Sequence, residues 1–290
     1  MLDLIIGTIT QGLLWSLLAI GVFLTFRVLD IADLTVEGTF PMGAGISAIM
    51  LVNGYNPILS IFVAAIGGMF AGAVTGWIHT KLKIPALLAG ILTMIALYSV
   101  NLHIMGKANI SLLRVDTIYS ALGNLIQTSN MWTVAIIGLG VAVLSSLLLF
   151  WFFGTEIGAA LRATGVNQQM IRAQGVNTDT MIVLGLLISN GFVAASGALI
   201  AQSIGFADVG MGIGTIVIGL ASVIIGEVLF GTKSFIRSMI AVVLGSIVYR
   251  IVIAVVLYLG MPPNDLKLFT AVLVAIALSL PTLKAKWLAR

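Results

Sequence analysis

Few side chains in this sequence can do chemistry, and they are of a restricted kind. Among 290 residues there is no cysteine, and there are two histidines, His79 and His103. Disulfides, thiolate metal sites and thiol nucleophiles are therefore excluded, and two imidazoles are too few for a metal cage. No Ser, His and Asp set has a recognisable catalytic spacing. The run Gly226-Glu-Val-Leu-Phe-Gly231-Thr-Lys-Ser234 approaches a phosphate-binding loop, but that loop needs Lys directly after the second glycine, and Thr232 intervenes. Asn109-Ile-Ser111 fits a glycosylation acceptor, a three-residue match that carries little weight. What remains is a set of polar and ionisable residues set into apolar runs: Asp33, Thr35, Glu37 and Thr39 near the start, then Asn190, Gln202, Glu227 and Arg250. Such groups bind an ion or a polar solute, or they pair with one another. No enzyme and no cofactor site is expected in this chain.

The surroundings explain why those few groups matter. Hydrophobic residues make up 60 % of the chain and charged residues only 8 %, and the mean hydropathy is +1.18. A soluble domain carries about 25 % charge, so this composition belongs in a lipid bilayer. There a charge at the centre costs about 2.5 to 3.5 kcal/mol on insertion scales, so each ionisable group needs a partner or a watery cavity. The excess of 14 Lys and Arg over 10 Asp and Glu, net +4, reads as membrane orientation and not as nucleic-acid binding.

The elements that must position these groups are apolar helices of about 20 residues. Nine candidates lie near 4–26, 35–53, 57–80, 84–105, 131–153, 181–203, 212–229, 238–259 and 266–281. The expected fold is all-α, one polytopic transmembrane domain over 1–290 with about nine spans, one of them interrupted or re-entrant. Within the polar-leaning stretch 106–130, the run Tyr119 to Ile126 predicts a surface or re-entrant helix. Met1-Leu2-Asp3 lacks the basic start of a cleaved leader, so the first apolar run reads as a span. An odd span count puts the termini on opposite sides, and the positive-inside rule chooses between the two arrangements. With the N-terminus outside and the C-terminus in the cytoplasm, Arg27, Lys81, Lys83, Arg162, Arg172, Lys233, Arg237, Lys284, Lys286 and Arg290 are cytoplasmic, ten of the 14 basic residues. Gly68, Gly72 and Gly76 recur every four residues on the third span, a doubled GxxxG stripe that predicts close helix packing.

Arg250, near the middle of the eighth span, cannot easily reach either surface, and Glu227 near the cytoplasmic end of the seventh is a candidate counter-ion. A buried ion pair and a substrate contact are both open readings. From 30 to 45 the apolar pattern is broken by Asp30, Asp33, Thr35, Glu37, Thr39 and Pro41. Broken backbone at membrane depth makes a polar site, so this segment is expected either to line a translocation path or to be a cytoplasmic turn.

The polar centre of the chain is 154–180, placed in the cytoplasm by the charge rule. Asn167 can cap a helix and Gly175 suits the left-handed residue that closes one, so 168–174 reads as a short helix, preceded by a second over 156–164 that ends at Gly165. Two short helices joined by single glycines make a compact elbow, a docking surface and not a tether.

Three stretches resemble a known family: Gly158-Ala-Ala-Leu-Arg-Ala-Thr-Gly-Val-Asn167, Ala173-Gln-Gly-Val-Asn177, and Gly191-Phe-Val-Ala-Ala-Ser-Gly197. They are similar to the signature of ATP-binding-cassette importer permeases of the branched-chain amino acid and ribose permease superfamily. Leu18-Ala-Ile-Gly21, Asp30 to Gly38 and Met42-Gly-Ala44 are similar to a second region of that family. The chain departs from it in having Asp33 where the family commonly has Asn, and Glu37-Gly38 in place of Gly-Glu. The Asp-Leu-Thr-Val-Glu-Gly variant resembles a branch associated with amino-acid uptake, aromatic amino acids included. The resemblance implies the permease subunit of an importer, paired with a second permease copy. Cytoplasmic ATPase subunits would carry the ATP and Mg, and an extracytoplasmic binding protein would deliver a small polar solute, an amino acid by preference. It further implies that Gly158, Ala160, Arg162, Ala163, Gly165, Asn167, Ala173, Gly175 and Asn177 form the ATPase-coupling segment. The alternative is a secondary transporter driven by ion binding at Asp33, Glu37 or Glu227; no convincing internal repeat supports it.

Overall fold

Helix boundaries in the computed structural model, which describes residues 2–127, 129–262, 265–266, 268–276 and 279, follow local chemistry. Asn56 accepts the amide of Ile58 at 2.8 Å and Pro57 occupies the first turn of α3 (Pro57–Lys81), where its missing N–H costs nothing. Asn177 caps α9 (Thr178–Ile204) and Ser234 caps α11 (Phe235–Tyr258). Left-handed Gly106 and Gly205 close α4 (Ala86–Met105) and α9. The remaining long helices are α1 (Leu2–Phe23), which runs on as a π-turn over Leu24–Val28, α6 (Asn130–Phe153) and α10 (Thr215–Phe230).

Seven of the described helices are long and apolar enough to cross a membrane, and α2 (Val36–Val52) is a shorter apolar one. Of the ninth expected span, near 266–281, residues 268–276 are helical and the rest lies partly outside the described residues. α1 and α9 are the inner pair, 83 % and 67 % buried along their apolar stretches, against 28 % for α4 and α11. α9 packs along α3, α2 and α1, while α11 packs on α1 and α10. Leu18, Phe40, Leu186, Val193 and Leu199 are among the side chains that fill the space between them. The expected glycine stripe is where α3 meets α9. A Cβ on Gly68 would stand 2.3 Å from the Asn190 carbonyl oxygen, and one on Gly72 would stand 2.2 Å from that of Leu186, so only glycine allows this approach.

The interruption falls earlier than Pro41. α2 runs through Pro41, and the non-helical backbone is 29–35, with Asp30 at φ 57°. Pro41 is the sixth residue of α2 and removes the amide that would have met the Glu37 carbonyl. Gly212, at the end of the 3₁₀ turn Val209–Gly212, lies against that carbonyl and the Pro41 ring.

The segment 106–130 holds the expected short helix, α5 (Ile118–Ile126). It also holds a strand that the sequence did not suggest: β1 (Asn109–Ser111) pairs antiparallel with β2 (Phe206–Asp208). This pair and α5 lie at one end of the bundle. The other end carries α7 (Glu156–Val166) and α8 (Gln168–Ala173), the two helices of the elbow.

Candidate functional site

The non-helical 29–35 segment brings Asp33 and Thr35 onto the middle of α9 and the flanks of α3 and α4. Asn190 donates from Nδ2 to Asp33 Oδ2 at 2.7 Å, and the Thr35 amide donates to Asp33 Oδ1 at 2.9 Å. Thr39 donates to Asn190 Oδ1 at 2.8 Å. The Thr35 and Thr75 hydroxyls lie 2.7 Å apart, and Thr75 donates on to Thr93 at 2.9 Å. One ladder thus links 29–35, α2, α3, α4 and α9, and all of these side chains are buried. Asp33, Thr35, Thr39 and Asn190, each a candidate for the translocation path, are thus brought together. Thr75 and Thr93 were not anticipated, because a threonine in a membrane helix ordinarily bonds its own backbone; both do that too. The ladder spends its donors and acceptors on one another, so in this conformation it braces helices.

Gln202 stands apart from it. Its Nε2 donates to Ser47 at 3.0 Å and Ser60 at 3.2 Å, and its Oε1 accepts the Ile118 amide at 2.9 Å, tying α9 to α2, α3 and α5. Glu37 accepts the Gly214 amide at 3.0 Å, holding the start of α10 over the start of α2.

The expected pairing of Glu227 with Arg250 does not occur. Glu227 pairs instead with Arg27 at 3.0 Å. The reason is depth: Glu227 lies three residues from the elbow end of α10, whereas Arg250 lies fifteen residues along α11 from that same end, about 22 Å at 1.5 Å per residue. Arg250 instead places its guanidinium 4.1 Å from the centroid of the Trp15 ring, and that ring stacks on Phe40 at 5.3 Å. The Arg250 Nε is buried without a hydrogen-bond partner, and among the described residues no carboxylate pairs with the guanidinium. A desolvated cation–π contact supplies about 2 kcal/mol, short of the cost of a charge at membrane depth.

The elbow matches the sequence reading in outline. Thr155 caps α7 at 3.2 Å through the Gly158 amide, Asn167 caps α8 at 3.0 Å through that of Met170, and Gly175 is left-handed at φ 86°. Gly165, however, does not end α7. It lies inside the helix, where a Cβ would stand 1.9 Å from the Val28 carbonyl oxygen. A Cβ on Gly158 would stand 2.2 Å from the Phe152 carbonyl oxygen at the end of α6. Arg162 donates to the Phe153 carbonyl at 3.1 Å and lies over the Phe153 and Phe235 rings. These residues fasten the elbow to the bundle. Ala160 and Ala163 are half-buried, while Asn167, Ala173, Gly175 and Asn177 are exposed.

Asp179, in the first turn of α9, adds a clasp. It pairs with Arg172 at 2.9 Å and with Lys83 at 3.5 Å, joining α8 to the α3–α4 turn. Arg172 also bonds Thr178. The elbow is thereby tied to the start of α9 and to the α3–α4 turn. Its outer face was not singled out from the sequence: Val166 is 85 % exposed and Met170 47 % exposed, two apolar side chains on a buttressed support.

The family model described as branched-chain amino acid transport system / permease component matches residues 4–278. The chain is 42 % identical over 270 residues to the tyrosine transport system permease protein of Clostridioides difficile (strain R20291), covering 93 % of this chain and 88 % of that protein. It is 32 % identical over 282 residues to an uncharacterized protein of Rickettsia prowazekii (strain Madrid E), covering 96 % of this chain and 98 % of that one. It is 28 % identical over 251 residues to the autoinducer 2 import system permease protein LsrC of Yersinia pseudotuberculosis serotype O:1b (strain IP 31758), covering 85 % and 68 %. Among solved structures, one described as an inward-facing conformation of a metal-chelate type ABC transporter matches with a TM-score of 0.52 at 15 % identity, over 98 % of this chain and 85 % of that chain. At that identity the likeness concerns the fold.

Proposed function

Because the chain belongs to the family of branched-chain amino acid transport system permease components, we propose that it is the membrane-spanning subunit of an ATP-binding-cassette importer in the cell membrane. It works as one of two permease copies, with the N-terminus outside and the elbow in the cytoplasm. ATP and Mg act on a separate ATPase that grips the elbow, and an extracytoplasmic binding protein delivers the solute. The C. difficile relative, a tyrosine transport system permease, supports an amino acid as that solute.

The observation that carries this reading is the build of the elbow. An apolar pair exposed on an ordered soluble face is a surface that a partner can cover. Val166 and Met170 stand on two short helices fixed to the bundle by Gly158, Arg162 and Gly165. A motor that displaces this tip displaces α9 through the Asp179 clasp, and α9 carries the Asn190 end of the polar ladder. ATP then shifts the populations of inward- and outward-open states through a rigid handle. The ion-gradient alternative gains nothing here, since Asp33, Glu37 and Glu227 each already hold a protein group.

Val166→Glu combined with Met170→Glu should leave the permease folded, because both side chains face outward, yet abolish co-purification of the ATPase. ATP-driven uptake in proteoliposomes should fall at least tenfold. Unchanged uptake in that variant would remove the elbow from the mechanism.

A further inference from the structure

We propose that the guanidinium of Arg250 is the point inside the membrane where the carboxylate of the transported solute docks, with the Trp15–Phe40 stack as the apolar wall beside it. This rests on the importer reading above and names the chemistry of its cargo. Trp15 lies thirteen residues from Leu2 and thirteen from Val28, at the middle of the first span. The cation stacked on it at 4.1 Å is therefore near the midplane of the bilayer. A lipid phosphate lies about 15 Å or more from that plane and does not reach it.

Nor, among the described residues, does a carboxylate serve as its counter-ion. Asp33 is held by Asn190 and Thr35, Glu37 by the Gly214 amide, Glu227 by Arg27, and Asp179 by Arg172 and Lys83. In a pair of identical copies, the second copy repeats the same engagements. Trp15 lies against the guanidinium without using its N–H donors, and the Nε donor is buried without a partner among the described residues. A fork of unspent donors held over an aromatic ring fits a planar oxyanion attached to an apolar body. A cation kept at this depth by a ring alone belongs to a binding site and not to the packing.

The test uses the complete transporter, permease with its ATPase and binding protein, in proteoliposomes offered radiolabelled L-tyrosine, L-phenylalanine and L-leucine. The amide of each and the corresponding decarboxylated amine serve as competitors. Wild type should take up the acid and discriminate against the amide by tenfold or more. Arg250→Met should lose most of the uptake of the acid and bring acid and amide to within about threefold of each other. Arg250→Lys, a point charge without the fork, should fall between them. Thermal unfolding of Arg250→Met in detergent should be no earlier than for wild type, since an unpaired cation has been removed.

Acid uptake in Arg250→Met with wild-type efficiency and unchanged discrimination would overturn the assignment, as would a wild type whose cargo bears no acidic group; the importer reading survives both results. A variant that melts early or separates into single permeases would show that the guanidinium pairs within the assembly, and would also overturn it. If wild type shows no ATP-dependent uptake of any solute, the importer reading fails and this inference falls with it.

Discussion

Asn190 is the side chain on which most of the buried polar structure turns. It is fully buried and bonds Asp33, Thr39 and its own helix at once. Hydrogen bonds between neutral groups of membrane helices average about 0.6 kcal/mol, whereas one to a carboxylate contributes about 1.5 to 3 kcal/mol. The ladder should therefore be graded. Asn190→Ala is expected to cost about 3 kcal/mol, seen as a clear drop in the thermal midpoint of the purified permease, while Thr93→Val at the far end should cost about 0.6 kcal/mol. Equal effects from the two would mean that the ladder does not depend on the carboxylate. At this scale the sequence showed which groups are embedded, since a polar side chain in an apolar run is visible from composition. Their partners were not visible. Glu227 and Arg250 are both embedded, yet the depth each reaches along its helix, and the face it turns, depend on tertiary packing; hence Glu227 met Arg27 and Arg250 met Trp15.

Between elements, glycine decides how closely backbones approach. The stripe on α3 was legible because a four-residue repeat has no other use in a helix exposed to lipid, and Gly72 lies against the Leu186 carbonyl as that repeat implies. Gly165 was misread as a helix end because one isolated glycine is the same letter whether it closes a helix or seats it on Val28. Pro41 lies inside the expected span 35–53, and α2 does run through it; the Glu37 carbonyl, whose helical amide Pro41 lacks, lies against Gly212, 171 residues from Pro41, which nothing local announces. The β1–β2 pair likewise joins segments far apart in sequence, Asn109 with Asp208 and Ser111 with Phe206. Gly72→Ala should cost about 2 kcal/mol through overpacking. Gly140→Ala, whose Cβ would meet nothing within 4 Å, should be neutral or slightly stabilising. Thermal unfolding of the two variants side by side measures the contrast, and similar midpoints would place the α3–α9 contact outside the stable core.

For the whole molecule, the two ends of the bundle differ in kind, and the difference sets direction. One end carries the elbow together with Arg27, Lys83, Arg162 and Arg172; the other carries β1, β2 and α5 with Lys107 and Arg114. An asymmetry of basic residues fixes orientation during insertion, and the importer reading requires the elbow to face the compartment that holds ATP. Because the chain has no native cysteine, a single introduced one reports without background. Val166 and Leu113 are suitable sites at opposite ends, 85 % and 83 % exposed. In intact cells a membrane-impermeant maleimide should label Leu113→Cys and leave Val166→Cys untouched. In inverted vesicles the pattern should reverse, and addition of the ATPase should then protect Val166→Cys by fivefold or more. Labelling of Val166→Cys from outside the cell would put the elbow on the wrong side for any ATP-driven partner. Equal labelling of that site with and without the ATPase would leave the elbow correctly oriented but show that the motor docks elsewhere.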